Sequence, residues 1–231
     1  MNNTLIPHLK YRVRTVAARR HWLLNLLYSR LEKHRHLLLR DNTQLVLEGY
    51  PRSGNSFALR AFQQVNPGVP VAHHMHAQSQ VIEAVERGLP AIVLVREPSG
   101  AVPSLVIRHP HIGLRMALLS YAQFHEDIHP YRHGFVLAHF ENVTRDFGAV
   151  INAANRKFGT SFASFDHSQG NVERIFSQMD EANAKFYGAF KTTHVPRPVA
   201  ERSEKKQAID LSEEPEMLRR AQHAYEALFA A

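Results

Sequence analysis

A loop at residues 49–56, with the sequence GYPRSGNS, carries residue types that bind an oxyanion. It follows the apolar run LVL at 45–47 and precedes a helical pattern that resumes at Phe57, so a strand, a glycine turn and a helix start follow one another. The backbone N–H groups of such a turn and the positive end of the helix dipole attract phosphate-like groups. Arg52 adds a cation within the loop. The sequence therefore predicts an anion site here.

The loop has the frame of a nucleoside-triphosphate loop, G-x-x-x-x-G-K-[ST], with Asn55 in place of the lysine. That lysine reaches the outer phosphates of a triphosphate, so its replacement argues against ordinary ATP or GTP chemistry. We therefore expect an anion smaller than a triphosphate. Two alternatives stay open. One is a P-loop kinase-like enzyme that binds magnesium-ATP despite Asn55, and the other is a simple strand-turn-helix corner without a ligand.

Three histidines fall within four residues in the next apolar segment, VPVAHHMH at 69–76. If this segment is a strand, His74 and His76 face one side of the sheet and His73 faces the other. Open α/β sheets bind ligands at the carboxyl ends of their strands. A histidine at this strand end is therefore a credible general base near neutral pH. Structural histidines with satisfied ring nitrogens are the alternative.

A third apolar run, AIVLV at 91–95, ends at Arg96, where a P-loop ATPase would often carry a metal-holding aspartate. Ser104 follows eight residues later, in a segment whose Pro103 predicts a helix that begins late. Arg96 and Ser104 are predicted to converge on a second anion. A salt bridge is the alternative role for Arg96.

Taken together and in this order, the segments resemble the sulfotransferases that use 3′-phosphoadenosine 5′-phosphosulfate (PAPS). YPRSGNSF at 50–57 is similar to the 5′-phosphosulfate loop of that family, and the arginine and serine at 96 and 104 are similar to its 3′-phosphate motif. PVAHHMH at 70–76 resembles the strand that ends in the catalytic histidine. FVLAHFENVTRDF at 135–147 resembles a later strand that approaches the adenine.

The resemblance implies transfer of a sulfuryl group from PAPS to a hydroxyl or amine, with adenosine 3′,5′-bisphosphate as product and no metal requirement. It implies that His76 is the base that takes the acceptor proton, with His74 nearby as the other candidate for the base and Arg52 stabilising charge. The cofactor-binding residues that it implies are Arg52, Ser53, Gly54, Asn55, Ser56, Phe57, Arg96, Ser104, Phe140 and Arg202. The acceptor, a small molecule, carbohydrate or lipid, is not specified.

Two departures from the family pattern stand out. Asn55 occupies a position where that family usually has a hydroxyl residue. The C-terminal element that closes over the 3′-phosphate is not recognisable, and KTTHVPRPVAERSEKK at 191–206 is the expected substitute. Its candidate cations are Arg197, Arg202, Lys205 and Lys206. A solvated loop is the alternative for that stretch.

A competing motif, HEDIH at 125–129, satisfies the zinc-protease pattern H-E-x-x-H. Pro130 directly follows the second histidine and ends the helix, and Asp127 places a charge where that motif usually packs on a core. A zinc hydrolase that uses His125 and His129 is kept as a further alternative. It would lose activity on His125→Ala.

Composition restricts the remaining functional classes. The 231 residues are enough for one domain with a full core, and the absence of cysteine excludes disulfides, a cysteine nucleophile and thiolate metal sites. The start of the chain lacks the apolar core of a signal peptide, and no apolar run approaches the roughly 20 residues that cross a bilayer. We therefore expect a cytoplasmic protein.

The positive charge is concentrated at the N-terminus. Residues 1–40 hold nine Lys or Arg and one acidic residue, so residues 41–231 sum to −1 although the whole chain carries +7. This distribution argues against a nucleic-acid partner for the body. Apolar residues from Leu9 to Leu38, interrupted at Arg20, predict a long basic helix packed on the body. A peripheral membrane contact, a dimerisation arm and a non-catalytic membrane-binding module are the alternatives.

The predicted fold is a three-layer α/β/α domain with a parallel P-loop-type sheet of about four or five strands. The basic arm at 1–40 precedes an α/β catalytic body at 41–231 in a single sulfotransferase-like domain.

Overall fold

A four-stranded parallel sheet lies at the centre of the structure, a computed structural model that describes residues 5–189 and 200–230 and, within them, all side chains except those at 5 and 200–203. Its strand order is β2-β1-β3-β4, and every neighbouring pair runs parallel. The strands are β1 (Leu45–Gly49), β2 (Val71–His73), β3 (Ala91–Val95) and β4 (Val136–His139). The predicted parallel α/β sheet is confirmed.

Helices connect and cover the strands on both faces. In chain order they are α1 (Leu5–Ala18), α2 (His21–Tyr28), α3 (Glu32–Arg35), α4 (Asn55–Val65), α5 (Gln78–Glu86), α6 (Pro98–Arg108), α7 (Leu114–Ile128), α8 (Phe140–Arg145), α9 (Phe147–Phe158), α10 (Gln169–Tyr187), α11 (Ala200–Gln207) and α12 (Pro215–Ala227). Short 3-10 turns lie at Pro110–Ile112, His129–Gly134 and Leu211–Glu213.

The two faces of the sheet have separate apolar cores, because successive side chains of a strand point to opposite faces. Leu47 and Leu94 pack with residues of α4, α9 and α10. Val46 and Val93 pack on the other face with residues of α5, α6, α7 and α12. All five residues of β1 and of β3 are buried, as expected of parallel strands covered on both sides. The predicted three-layer architecture is confirmed.

The order of the strands reverses beside β1. The chain leaves β1 for β2 on one side, and β3 then pairs with the other side of β1. In open α/β sheets the crevice at such a reversal, outside the carboxyl ends of the strands, is where ligands bind. The loop after β1 and the arginine after β3 both lie at this edge, because parallel strands end on the same side.

The basic arm is packed on the body, but it consists of three helices where a single long helix was predicted. Arg20 and Leu31 have extended backbones, with φ of −131° and −89°, and they divide the arm into α1, α2 and α3. The breaks allow two packing contacts that a straight helix would not make together. Tyr11 of α1 bonds through its hydroxyl to Ser120 Oγ of α7 at 2.9 Å, while Leu24 of α2 is buried in a small cluster beside the loop after β2.

Helix α6 begins earlier than the sequence predicts. Its first residue is Pro98, whose fixed φ suits the first helical position, and Pro103 lies inside the helix. Buried packing of Val102 and Leu105 in the core offsets the backbone hydrogen bond that Pro103 cannot make. The late start expected from Pro103 is therefore wrong.

Within the part of the chain that the structure describes, no helix has the length and apolar character needed to cross a membrane.

Candidate anion-binding and catalytic site

The loop between β1 and α4 leaves an open helix N-terminus at the strand-order reversal. Arg52 and Gly54 have left-handed backbones, with φ of 75° and 95°, which turn the chain sharply into the helix. Gly54 is the N-cap of α4, and no side-chain hydrogen bond caps the helix. The N–H groups of the first turn, residues 55–57, therefore have no intrahelical acceptor. Such a terminus attracts a phosphate or sulfate group.

Arg52 connects the two segments that the sequence assigns to separate anions. Its Nε donates to Ser104 Oγ at 2.9 Å, and its carbonyl oxygen accepts from Arg96 Nη1 at 3.2 Å. The Arg96 guanidinium also lies 3.9 Å from the centre of the Phe140 ring. The structure thus brings Arg52, Arg96, Ser104 and Phe140 into one cluster. Ser104 is fully buried, so its contact with the site runs through Arg52.

Asn55 braces the loop, because its Nδ2 donates to the Tyr50 carbonyl oxygen at 3.1 Å. The Asn55 amide thus makes a contact inside the loop, at a position where the sulfotransferase motif that the sequence resembles usually has a hydroxyl residue. Asn55 Oδ1 and Ser53 Oγ are both buried without a hydrogen-bond partner among the described residues. Buried polar atoms of this kind are costly unless a ligand or water satisfies them. The Ser53 hydroxyl can donate to a bound anion, whereas Asn55 Oδ1 can only accept, for instance from a water molecule.

Only His73 of the three histidines lies on a strand, and His74 and His76 lie in the loop that follows it. The predicted alternation of His73, His74 and His76 along one strand is therefore wrong. β2 ends at His73, and His74 and His76 have left-handed backbones with φ of 59° and 49°. A side chain of the neighbouring strand β1 causes this change in the direction of the chain. The Glu48 carboxylate accepts the N–H groups of Met75 and His76, each at 2.9 Å, and pulls the chain out of the strand.

His76 has the hydrogen-bond arrangement of a general base. Its Nδ1 lies 2.7 Å from the Gly49 carbonyl oxygen. A carbonyl only accepts, so Nδ1 carries the proton and Nε2 is the basic nitrogen of the neutral ring. Burial, and then the nearby charge of Arg14, hold the pKa of His76 well below its ordinary value. The imidazole is therefore neutral at physiological pH and able to accept a proton.

His74 is held at both ring nitrogens. Its Nε2 lies 3.0 Å from Ser56 Oγ, in the first turn of α4, and its Nδ1 lies 2.8 Å from His73 Nδ1. Burial lowers the pKa of His74 to about 4, with Arg60 contributing next. Both ring nitrogens of His74 are therefore occupied by protein contacts. This arrangement holds Ser56 and the first turn of α4 in position.

Glu48 is a site residue that the sequence reasoning missed. The side chain is fully buried, and Gln80 Nε2 donates to its Oε1 at 2.9 Å in addition to the two backbone donors. Burial raises the pKa of Glu48 to about 7, although these hydrogen bonds oppose the shift. A carboxylate inside an otherwise apolar buried strand was the available signal, because such residues are rarely buried without a role.

A large cleft of about 1190 Å³ joins the anion loop, the histidine loop and the inner side of the arm. His74 and His76 line it, as do the loop residues Arg52, Gly54 and Asn55. Seven basic side chains and no Asp or Glu line it in the described parts of the chain. The seven are Lys10, Arg14, Lys33, Arg52, Arg96, Arg108 and Lys206. The cleft is therefore electrostatically suited to a ligand with several negative charges.

Arg14 is a second residue that the sequence did not mark. It projects from α1 into the cleft lining, and its Nη2 donates to the Met75 carbonyl oxygen at 3.0 Å. The contact joins residues 61 positions apart. Nothing in the local sequence of the arm distinguishes Arg14 from its eight basic neighbours, so only the tertiary fold identifies it.

Two aromatic residues border the cleft. Phe140 lies directly over the anion loop, since a Cβ added to Gly54 would sit 3.4 Å from its ring. Phe57 also lines the cleft, but only 4% of it is exposed and its ring packs against Phe165 and Phe176. Phe140 is the better placed of the two to contact a flat ligand.

The C-terminal candidates are only partly described. Arg197 and the side chain of Arg202 lie outside the described residues, although the backbone of α11 includes position 202. Lys205 is exposed, and Lys206 lines the cleft.

The HEDIH segment lacks the arrangement of a zinc site. His125 is fully buried, its Nδ1 lies 2.8 Å from the Tyr121 carbonyl oxygen and its ring stacks on Tyr121 at 4.1 Å. His129 is exposed at the end of α7. Residues 5–189 and 200–230 contain no group of three His, Cys, Asp or Glu side chains able to share a metal ion. The geometry favours structural roles for these histidines.

Comparison with known proteins gives structural similarity at a distant level only. Neither a protein-family model nor a curated protein matches the sequence. The solved structures that match include the crystal structure of mouse sulfotransferase SULT7A1 complexed with PAP. That match has a TM-score of 0.46 and 13% sequence identity, and it covers 86% of this chain and 87% of the mouse chain. This similarity is too distant to assign the chain to a family.

Proposed function

We propose that this protein is a sulfotransferase that transfers a sulfuryl group from PAPS to a hydroxyl or amine of an acceptor. The observation that carries the proposal is the composition of the cleft. Among the described residues, it combines a helix N-terminus without a side-chain cap, seven basic side chains with no lining carboxylate, and a neutral histidine with an available basic nitrogen. PAPS carries several negative charges and requires a base on the acceptor side, so its chemistry matches this set of groups.

We assign the two phosphate groups of PAPS to the two arginines of the cluster, Arg52 and Arg96. Arg52 and the N–H groups at 54–56 are assigned to the 5′-phosphosulfate, where charge develops as the bond to sulfur breaks. Arg96 is assigned to the 3′-phosphate, and Ser104 holds Arg52 in place through the hydrogen bond to its Nε. Phe140, which already stacks on Arg96, and the edge of Phe57 are assigned to the adenine.

His76 is assigned as the general base and His74 as the residue that positions Ser56. When bound, PAPS supplies the sulfuryl group and leaves as adenosine 3′,5′-bisphosphate. The acceptor proton passes to His76 Nε2, while Gly49 holds the other ring nitrogen in the correct tautomer. Arg14 and Arg108 lower the pKa of this histidine. A bound polyanion would oppose those charges and strengthen the base when the donor is present.

The kinase alternative fits this cleft less well. Phosphoryl transfer from ATP relies on magnesium held by carboxylate or amide oxygens. No Asp or Glu lines the described part of the cleft, and Asn55 replaces the lysine that reaches the outer phosphates of a triphosphate. Positive charge comes instead from arginine and lysine side chains.

Calorimetric titration with adenosine 3′,5′-bisphosphate tests the proposal, with magnesium-ATP titrated in parallel. We expect metal-independent binding of the bisphosphate. Arg96→Ala should weaken it roughly tenfold to a hundredfold, because a charge-assisted hydrogen bond is lost.

Arg156→Ala is the matched control, since Arg156 is exposed on α9 and does not line the cleft. It should leave the affinity unchanged. Tight magnesium-ATP binding without any bisphosphate binding would reject the sulfotransferase and favour the kinase-like alternative.

A further inference from the structure

Helix α1 presents an apolar stripe to solvent. Ile6, Leu9, Val13 and Val16 follow one another at spacings of three and four residues and are 49–62% exposed. Residues at such spacings share one face of a helix. The opposite face packs on the body through Tyr11, which bonds to Ser120. The helix is therefore amphipathic with its apolar side outward, the reverse of an ordinary surface helix.

Helix α2 extends the same apolar surface. Trp22 and Leu26, one helical turn apart, are 67% and 58% exposed. Of the nine large hydrophobic residues that are exposed in the described chain, eight lie between positions 6 and 31. Phe186 is the remaining one. Scattered apolar residues are normal on a protein surface, whereas a contiguous patch marks a binding surface. We call this set of eight residues the apolar patch.

The charges around the apolar patch favour an anionic partner. Lys10 and Arg12 are exposed on α1, on either side of the apolar stripe. Residues 1–40 contain nine Lys or Arg and one acidic residue. Two copies meeting at this surface would bring these like charges together, which opposes self-association. A negatively charged surface with an apolar interior, in contrast, complements both features.

We propose that the apolar patch is a docking surface for an anionic lipid membrane. Its Trp, Leu and Val side chains would enter the boundary between headgroups and acyl chains, while the surrounding arginines and lysines would contact lipid phosphates. The attachment is peripheral and lies in the plane of the membrane surface.

The patch also borders the mouth of the cleft. Leu9, Val13, Leu27 and Leu31 belong to the apolar patch and line the cleft as well. A protein seated on this patch therefore opens its cleft toward the membrane surface. Together with the proposed sulfuryl transfer, on which this step alone rests, the acceptor is an amphipathic lipid with a hydroxyl in its headgroup.

The chain contains one tryptophan, and it lies in the patch, so its fluorescence reports docking directly. The full chain is mixed with vesicles of phosphatidylcholine, or of phosphatidylcholine with phosphatidylserine. We expect a blue shift of Trp22 emission and co-sedimentation with the phosphatidylserine vesicles only, and both should weaken as salt is added. Equal binding to both kinds of vesicle, or no binding to either, would overturn the proposal that the apolar patch docks on an anionic membrane.

Matched variants separate charge from apolar contact. Arg12→Gln should weaken vesicle binding about fivefold, as expected for one basic residue near an anionic surface. Arg156→Gln, at an exposed site on α9, should not change it. Relative to the unsubstituted protein, Leu26→Ser should weaken vesicle binding roughly tenfold, because the apolar burial of the leucine side chain is lost. Phe186→Ser, at a side chain that is 80% exposed outside the patch, should not.

Two further results distinguish the partners and the steps. Self-association of the chain without lipid, abolished by Leu26→Ser, would assign the patch to a second copy and overturn the membrane proposal. Vesicle binding needs neither PAPS nor turnover. Docking without transfer to any lipid, in a protein that binds the bisphosphate, would therefore reject the lipid acceptor and leave the docking surface and the sulfotransferase proposal standing.

Discussion

The two cleft histidines differ in what their ring nitrogens contact. The Nδ1 of His76 contacts the Gly49 carbonyl, which leaves Nε2 as the basic nitrogen, whereas His74 is held by both Ser56 and His73. The sequence could place both residues near the anion loop but could not separate their roles. That distinction depends on hydrogen bonds to residues 18 and 27 positions away.

Replacing His76 by Asn tests its role as the base. The Asn amide can still donate to the Gly49 carbonyl, but it has no basic nitrogen. We expect turnover to fall about 10²- to 10⁴-fold with the bisphosphate affinity unchanged. The measurement is bisphosphate release from PAPS with an alcohol acceptor, alongside calorimetry.

His74→Gln is the companion variant, because its amide can reach Ser56 as Nε2 does. A smaller loss of turnover is expected there. Turnover by His76→Asn that equals the unsubstituted protein would exclude His76 as the base.

At the scale of elements, the site depends on the sharp entry into α4. Gly54 combines a φ of 95° with close approach to Phe140, and no side chain caps the helix that it begins. The strand-glycine-helix pattern and the buried strands at 45–47 and 91–95 were readable from sequence, because their apolar runs and the glycine turn are local signals. The break at Arg20 coincides with an interruption of the apolar pattern, whereas the end of β2 after His73 was not readable, since the distant Glu48 imposes it.

Gly54→Ala should impair the anion site specifically. A Cβ at positive φ costs roughly 1 kcal/mol, and here it would lie in the anion loop itself, 3.4 Å from the Phe140 ring. We expect a loss of stability of that size together with weaker bisphosphate binding.

Gly159→Ala is the control, because Gly159 has a φ of 67° with nothing within 4 Å of an added Cβ. It follows α9, outside the cleft lining. Urea unfolding should show a similar stability loss for both variants, and calorimetry should show weaker binding only for Gly54→Ala. Equal affinities for the two would remove Gly54 from the site.

For the whole molecule, histidines that are buried or half-buried make the free energy of unfolding depend on pH. Burial lowers the pKa of His73 to about 3, of His74 and His125 to about 4, and of His76 in the same direction. The unfolded chain therefore binds more protons at these sites than the folded protein does below the ordinary histidine pKa. Glu48 acts in the opposite sense, because its raised pKa favours the folded state at lower pH. Four histidines outweigh one carboxyl.

We therefore expect the free energy of unfolding to be greatest above about pH 6.5 and to fall as the pH is lowered toward 4. Each neutral buried histidine contributes a slope of at most about 1.4 kcal/mol per pH unit. Urea unfolding at a series of pH values measures the slope, and His125→Phe should reduce it. The exposed His129→Asn serves as the control substitution. A stability that stays constant or rises across this acid range would contradict the expectation.

The central position of β1 also bears on how the chain is made. β1 pairs with β2 on one edge and with β3 on the other, although β3 comes some forty residues later in the sequence. On the ribosome, the strand that carries the anion loop therefore emerges with one hydrogen-bonding edge and two apolar faces uncovered. The free edge of β1 stays unpaired until β3 has been synthesised. Nascent chains that end before β3 therefore expose an unpaired strand edge and apolar surface that the complete sheet covers.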